Sequence, residues 1–374
     1  MVLTRQRVRV VLGALWILDG LLQLQRSMFT VTFAHTVIAP AGQGQPWFVA
    51  EPVALTAGLI AAHPAAWNAA FAVIQLSLGV GFMVPRLVRP ALLASVAWAA
   101  GVWWLGEGLG GLAGGHADLL TGAPGAVLLY AVLAVAVWPR ADATGVEHLP
   151  LPGLLTFAWA GLWIGGAVFR LLPGQASSAA IAAEIDASAA GTPGWLHQID
   201  ATASALVAPA GTGLVVAWVV VCLMVGLGGL GRGAVRQTAC AVGIVMATTF
   251  WFVGQSLGQP WSGTATDPNS GPLIVLMALA VMAVGGPAPI YGRHRKLTAV
   301  GARRVGSRGP GSSPSAFPVT DVFSPPVAAW AAPELWAGRQ PVHREVGVPG
   351  GWRAVDDEAG AVRADEPELA PAAR

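Results

Sequence analysis

Asp19, Gln23 and Arg26 lie at i, i+4 and i+7 within the otherwise apolar segment WILDGLLQLQRSMFT. On a helix of 3.6 residues per turn this spacing places all three on one face. A carboxylate about halfway through a membrane span costs roughly 2.5 to 3.5 kcal/mol on insertion scales, so Asp19 is expected to face a bundle interior or a wet cavity. Arg26 stands roughly 10 Å further along the axis at 1.5 Å rise per residue, too far for a direct ion pair. Asp19 then either stays protonated or hydrogen-bonded between helices, or handles protons for a ligand. A second carboxylate, Glu107, sits in WWLGEGLGG beside Trp104, at the outer edge of another apolar run. Its flanking glycines let a backbone or a ligand approach closely; the same carboxylate could simply cap a helix end. Asp19 and Glu107 are the candidate proton-handling groups, with Gln23, Arg26 and Trp104 beside them.

Other chemistry is poorly represented. His35, His63 and His116, with Glu51, Glu107 and Asp118, fall in segments of the same side, but none is spaced as HExxH or as a His pair one helical turn apart, so no metal site is assigned. The GEGLGG and TGAPG strings follow no strand and make poor phosphate loops. Cys222 and Cys240 form no CxxC motif and read as small apolar residues.

The elements that must position these residues occur twice. LWI at Leu15–Ile17 returns at Leu162–Ile164, and GQPWF around Trp47 returns as TPGWL around Trp195. QLSLGVG ending at Gly81 matches CLMVGLG ending at Gly228, WWLGEGLG ending at Gly110 matches WFVGQSLG ending at Gly258, and LAV at Leu133 matches LAV at Leu279. The order is kept and the offset is 146 to 148 residues. In the second copy Arg170 matches Gln23, Gly166 matches Asp19 and Gln255 matches Glu107, so both carboxylates survive in the first copy alone. Arg170 and Gln255 therefore complete the list of candidate binding residues, Arg170 being placed to approach Asp19 across the interface of the copies.

With 55% hydrophobic and 11% charged residues and a mean hydropathy of +0.61, the chain is far from the roughly 25% charged composition of soluble domains. Apolar stretches of bilayer-crossing length fall at 8–28, 66–84, 88–106, 122–138, 154–172, 209–230, 235–254 and 271–288. The expected architecture is an all-α membrane protein with eight transmembrane helices in two parallel four-helix repeats, residues 1–146 and 147–292, and a disordered tail, residues 293–374. The first run aligns with the fifth span and so reads as a span, not as a cleaved signal. Arg5, Arg7, Arg9, Arg86, Arg89, Arg140, Arg232, Arg236, Arg293, Arg295 and Lys296 flank one set of ends, while the loops 30–65, 107–121, 174–208 and 255–270 hold no Lys or Arg. The positive-inside rule then puts both termini in the cytoplasm of a multi-pass cell-membrane protein. An even number of spans per copy implies a pseudo-twofold axis along the membrane normal. Short interfacial helices are expected in the outer loops, at Ile181–Ser188 and Trp195–Leu206. From about Leu297 the chain is rich in Pro, Gly, Ala and Ser without helical period, which is the composition of a disordered cytoplasmic segment. Arg303, Arg304 and Arg308 suit anionic lipid, and Trp330, Trp336 and Trp352 could anchor a cytoplasmic partner. The pI near 8.8 is explained by the cytoplasmic arginines, and nothing points to nucleic acid.

WILDGLLQLQRSMFT, HPAAWNAAFAVIQL, RPALLAS, WWLGEGLGGL and LTGAPGAVLLYAVLA resemble a group of actinobacterial integral membrane proteins of unassigned function, over most of residues 12–138. More distantly, the four-span unit resembles the DoxX/DoxD group of small bacterial membrane proteins. That second resemblance implies a link to quinone-coupled sulfur or thiol redox work. The chain departs from the group in lacking an outer cysteine and in fusing two units, and no catalytic residue carries over. The leading expectation is an accessory or quinone-interacting component of a membrane redox system, embedded in the lipid bilayer beside a membrane redox partner. The alternatives are a transporter of a small solute or lipid with its site at the repeat interface, and a scaffold recruiting partners through its tail. Whether the chain is an enzyme stays open at this point.

Overall fold

The computed structural model describes residues 4–139 and 152–284. The tail 293–374, its tryptophans and arginines, and the flanking Arg140, Arg293, Arg295 and Lys296 lie outside the described residues. Among the described residues the chain is all-helical, without a strand. Four helical stretches, Pro64–Met83, Val88–Leu105, Gly153–Arg170 and Gly194–Leu230, are long and apolar enough to cross a membrane, which marks a membrane protein.

Four helices bring the first half together: α1 (Arg5–Leu22), α3 (Pro64–Met83), α4 (Val88–Leu105) and α5 (Ala126–Ala136). They pack in the order α1 on α3, α3 on α4 and α4 on α5. In the second half α6 (Pro152–Arg170), α9 (Gly211–Leu230), α10 (Ala234–Phe252) and α11 (Ser270–Ala283) pack in the same order. α5, α6 and α11 meet at the centre, where Tyr130, Leu133, Trp159, Trp163, Leu273 and Met277 form one continuous core. Small residues set the tightest crossings, as membrane interfaces favour. A Cβ on Gly79 would stand 2.6 Å from the Gly13 carbonyl and 2.5 Å from Ile17, so α1 and α3 touch through backbone. At the matching crossing, Gly226 faces the Ala160 carbonyl and Ile164.

Helix ends follow local chemistry. Thr4 caps α1 by accepting from the Arg7 amide at 3.3 Å, and Pro64 opens α3 at a position where no amide is needed. Ser177 caps α7 (Ser178–Ser188) by accepting from the Ala180 amide at 3.0 Å. α7 and α8 (Gly194–Val207) fall where short outer helices are expected and pack on each other.

Three elements differ from the sequence expectation. The first run stops at Leu22 rather than 28, because Gln25 turns extended and its Nε2 donates to the carbonyls of Leu22 and Ala265 at 3.0 and 3.1 Å. The run at 122–138 yields only 11 helical residues, since 113–125 form a coiled turn docked into the second half. The segment 30–65 is more than a loop. α2 (Trp47–Ala62) is a 16-residue apolar helix, and with the short turns at 26–42 it builds a second core from Met28, Phe33, Ile38, Val49, Val53 and Ile60. Pro52 lies inside α2 and cannot bond the Phe48 carbonyl one turn back. The Trp104 indole donates to that carbonyl at 3.3 Å instead.

Candidate functional site

A chamber of about 980 Å³ lies between α1, α3, α4 and the α2 cap, with residues 116–127 and 266–269 closing it. Asp19 and Gln23 enter from the end of α1, and Glu107 enters from the turn that follows α4. The aromatic wall holds Phe33, Trp67, Phe71 and Trp98; Phe71 stands 6.2, 6.0 and 5.4 Å from the rings of Phe33, Trp67 and Trp98. Leu59 and Trp67, both lining residues, are 60% and 41% exposed, so the chamber opens sideways between α2 and α3.

Asp19 is buried and stands beside the Tyr130 hydroxyl, while Trp16 packs its ring 4.3 Å from the Tyr130 ring and donates to Ser95 at 3.1 Å. The Gln23 backbone carbonyl accepts from Asn68 Nδ2 at 2.7 Å, which ties the end of α1 to α3. The Oε1 atoms of Gln23 and Gln75 and the Nε1 of Trp98 are buried without a partner among the described residues. Such atoms cost free energy unless a ligand or water meets them.

Glu107 is held by the strained turn itself. Gly108, Leu109 and Gly110 all have positive φ, and a Cβ on Gly110 would collide with the Pro124 carbonyl. That carbonyl also accepts from Trp103 at 2.7 Å, and Glu107 Oε1 accepts from the Val127 amide at 3.4 Å. The carboxylate thus meets the N-terminus of α5, yet burial and the neighbouring Asp267 push it up from 4.5 to about 8. At neutral pH Glu107 therefore carries its proton.

The sequence reading missed Asp267. It lines the chamber from the turn before α11, its Oδ1 accepting from the Asn269 amide and its Oδ2 from Thr266, both at 2.7 Å. Burial raises it too. An acid before a proline at the head of an apolar run, TDPNSG, was the available signal. Asp267 also lines a second, polar cavity of about 520 Å³ with Glu184, Ser188, Gln255, Gln259 and Thr264. The two cavities share Val37, Thr121, Thr266, Asp267 and Asn269.

The other candidates lie elsewhere. Arg26 does not share the Asp19 face: the helix has ended, and Arg26 is exposed at the start of a short 3-10 turn. Trp104 is 46% exposed and serves the Phe48 carbonyl rather than the chamber. Arg170 turns from Asp19 to other acids. It is fully buried, ion-paired with Asp118 and with both Glu184 oxygens at 3.2 and 2.8 Å, and lies 5.1 Å over the Trp218 ring. Asp118 is still raised to about 6, burial outweighing Arg170. Gln255 lines the second cavity, donating to the Leu119 carbonyl at 3.2 Å and accepting from the Gly271 amide at 3.0 Å. Among the described residues no three His, Cys, Asp or Glu gather as metal ligands.

No known protein family, curated protein or solved structure matches the chain at a significant level.

Proposed function

We propose that this is an eight-span membrane protein made of two like-oriented four-helix units, whose first unit binds a lipid-soluble ligand in the chamber while the second serves as scaffold. Matched contacts support the duplication. Trp103 and Trp251 each donate to a proline carbonyl, of Pro124 and Pro268, at 2.7 Å. Glu107 and Gln255 each accept an amide from the first turn of the helix that follows. Cβ atoms on Gly81 and Gly228 would meet Ala91 and Ala239 at 2.7 and 2.6 Å. The arginine-rich ends are cytoplasmic and the chamber belongs to the outer half.

The ligand class is a quinone, and the role is that of an accessory component in a membrane redox system. The observation that carries this is that Asp19 and Glu107, 88 residues apart in sequence, line one aromatic chamber that opens sideways between α2 and α3. Their protonated forms and the Trp98 indole would supply hydrogen-bond donors for the carbonyl oxygens of a bound quinone. The distant resemblance of the four-span unit to the DoxX/DoxD group, which implies quinone-coupled redox work, points the same way. Spectroelectrochemistry of a bound quinone is the test: the midpoint potential should differ from that of the free quinone, and Asp19→Asn should change its pH slope. An identical potential with and without protein removes the proposal. A transporter is the second reading, favoured by the adjoining polar cavity, which continues the chamber towards the turns of the second half. Uptake into proteoliposomes driven by a pH gradient separates it from the first.

A further inference from the structure

The charge of the chamber is one-sided. Asp19, Glu107, Asp118 and Asp267 line it, and among the described residues no Lys or Arg lines either cavity. The nearest buried guanidinium, Arg170, is committed to Asp118 and Glu184. The unpartnered buried Oε1 atoms of Gln23 and Gln75 add acceptors without adding donors of charge. The same lining holds Phe33, Trp67, Phe71 and Trp98, and aromatic rings attract cations through their quadrupoles, the more so once desolvated. A metal ion is the wrong size for about 980 Å³ and finds no ligand triad among the described residues.

We propose that the chamber is a site for a hydrophobic organic cation, its charged centre set among Asp19, Glu107 and Asp267 and its apolar body against the Phe71 aromatic cluster. This rests on the chamber being a ligand site, which is the part common to both readings above. A lipophilic anion gains nothing from the electron-rich rings and finds no Lys or Arg among the lining residues to pair with. A fixed cation favours the ionised carboxyl, so a proton leaves as the ligand enters. The titratable groups that interact with Glu107 are Asp267 from the turn before α11, Asp19 from α1 and Tyr130 from α5, while His116 and Asp118 from the 113–125 turn share the chamber lining. Asp267 favours the protonated form of Glu107, the form that a bound cation reverses.

The experiment uses purified full-length protein in detergent and three probes: tetraphenylphosphonium, the equally large anion tetraphenylborate, and decylubiquinone. Binding is followed by equilibrium dialysis, with proton release read by a dye. The expected result is phosphonium binding at least a hundredfold tighter than borate, with close to one proton released at pH 7 and far less at pH 10. Asp19→Asn with Glu107→Gln should weaken phosphonium at least tenfold. Where that double variant fails to fold, the proton count on the unaltered protein decides. Equal binding of phosphonium and borate, or phosphonium binding without proton release, overturns the inference. Decylubiquinone binding that depends on Asp19, with phosphonium excluded, overturns it and leaves the quinone proposal standing. Failure of all three probes removes both.

Discussion

Glu107→Gln is the substitution whose consequence is most fully fixed by the structure. Gln255 already occupies the matched turn, accepting an amide through Oε1 at 3.0 Å, so glutamine fits this backbone. The variant keeps the bond from Val127 and loses only the titration. Folding raises the Glu107 carboxyl from 4.5 to about 8, so the folded state binds the proton more tightly than the unfolded chain. The contribution is fully present below pH 4.5 and is lost as pH rises through 8. A rise of about 3.5 pH units at about 1.4 kcal/mol each amounts to about 5 kcal/mol. Unfolding in detergent, followed by tryptophan fluorescence between pH 5 and pH 9, should show the variant gaining on the unaltered protein by about 4 kcal/mol over that interval. Asp118, whose shift comes from burial, Arg170 and Glu184, titrates in both proteins and cancels in the difference. Parallel stability curves across the whole range would refute the burial of Glu107 and its coupling to Asp267.

Gln255→Glu should do the reverse, because a carboxylate cannot donate to the Leu119 carbonyl; thermal unfolding should report a loss of about 1 to 3 kcal/mol that grows with pH. Arg170→Met strands two acids around a buried site and should cost about 3 to 5 kcal/mol, and Arg170→Lys should not restore it, since a lysine lacks the two-pronged contact with Glu184. Gly79→Val drives a side chain into the Gly13 carbonyl and should separate α1 from α3, lowering stability by about 1 to 3 kcal/mol or preventing assembly in a detergent-extraction assay. Cysteines placed at 87 and at 191 should react with impermeant maleimide from opposite sides of the membrane, and reaction of both from one side would contradict the eight-span arrangement.

Much of the helical framework was legible because apolar runs of bilayer length have few alternatives. Gly166 and Asp19, or Gln255 and Glu107, could be paired by offset alone. The chamber was legible only in part. Asp19 and Glu107 stand out as charges in apolar surroundings, but a helical period carried on to Arg26 runs past the true helix end, which Gln25 sets by a bond to the distant Ala265 carbonyl. Sequence registers the matched position of Arg170, not the direction of its long side chain; Asp118 reaches it from the 113–125 turn and Glu184 from α7, across paths no period encodes. α2 was hidden by its prolines and by its place between two spans, and its role as a cap depends on Trp104 completing the Phe48 carbonyl. Asp267 resembled an ordinary turn acid, since its neighbours Thr266 and Asn269 are the residues that stabilise such turns.

The central claim is that the chamber beneath α2 holds a ligand drawn from the membrane. Its most direct test is a photoreactive benzoylphenylalanine at position 71, inside the chamber, irradiated in native membranes and read by intact-mass analysis. A matched probe at position 216, 55% exposed on α9, controls for bulk lipid. A discrete small-molecule adduct should form at 71, be absent at 216 and be lost when Asp19→Asn and Glu107→Gln are combined. The same lipid adducts at both positions, or an adduct at 71 indifferent to the two carboxyl groups, would contradict it.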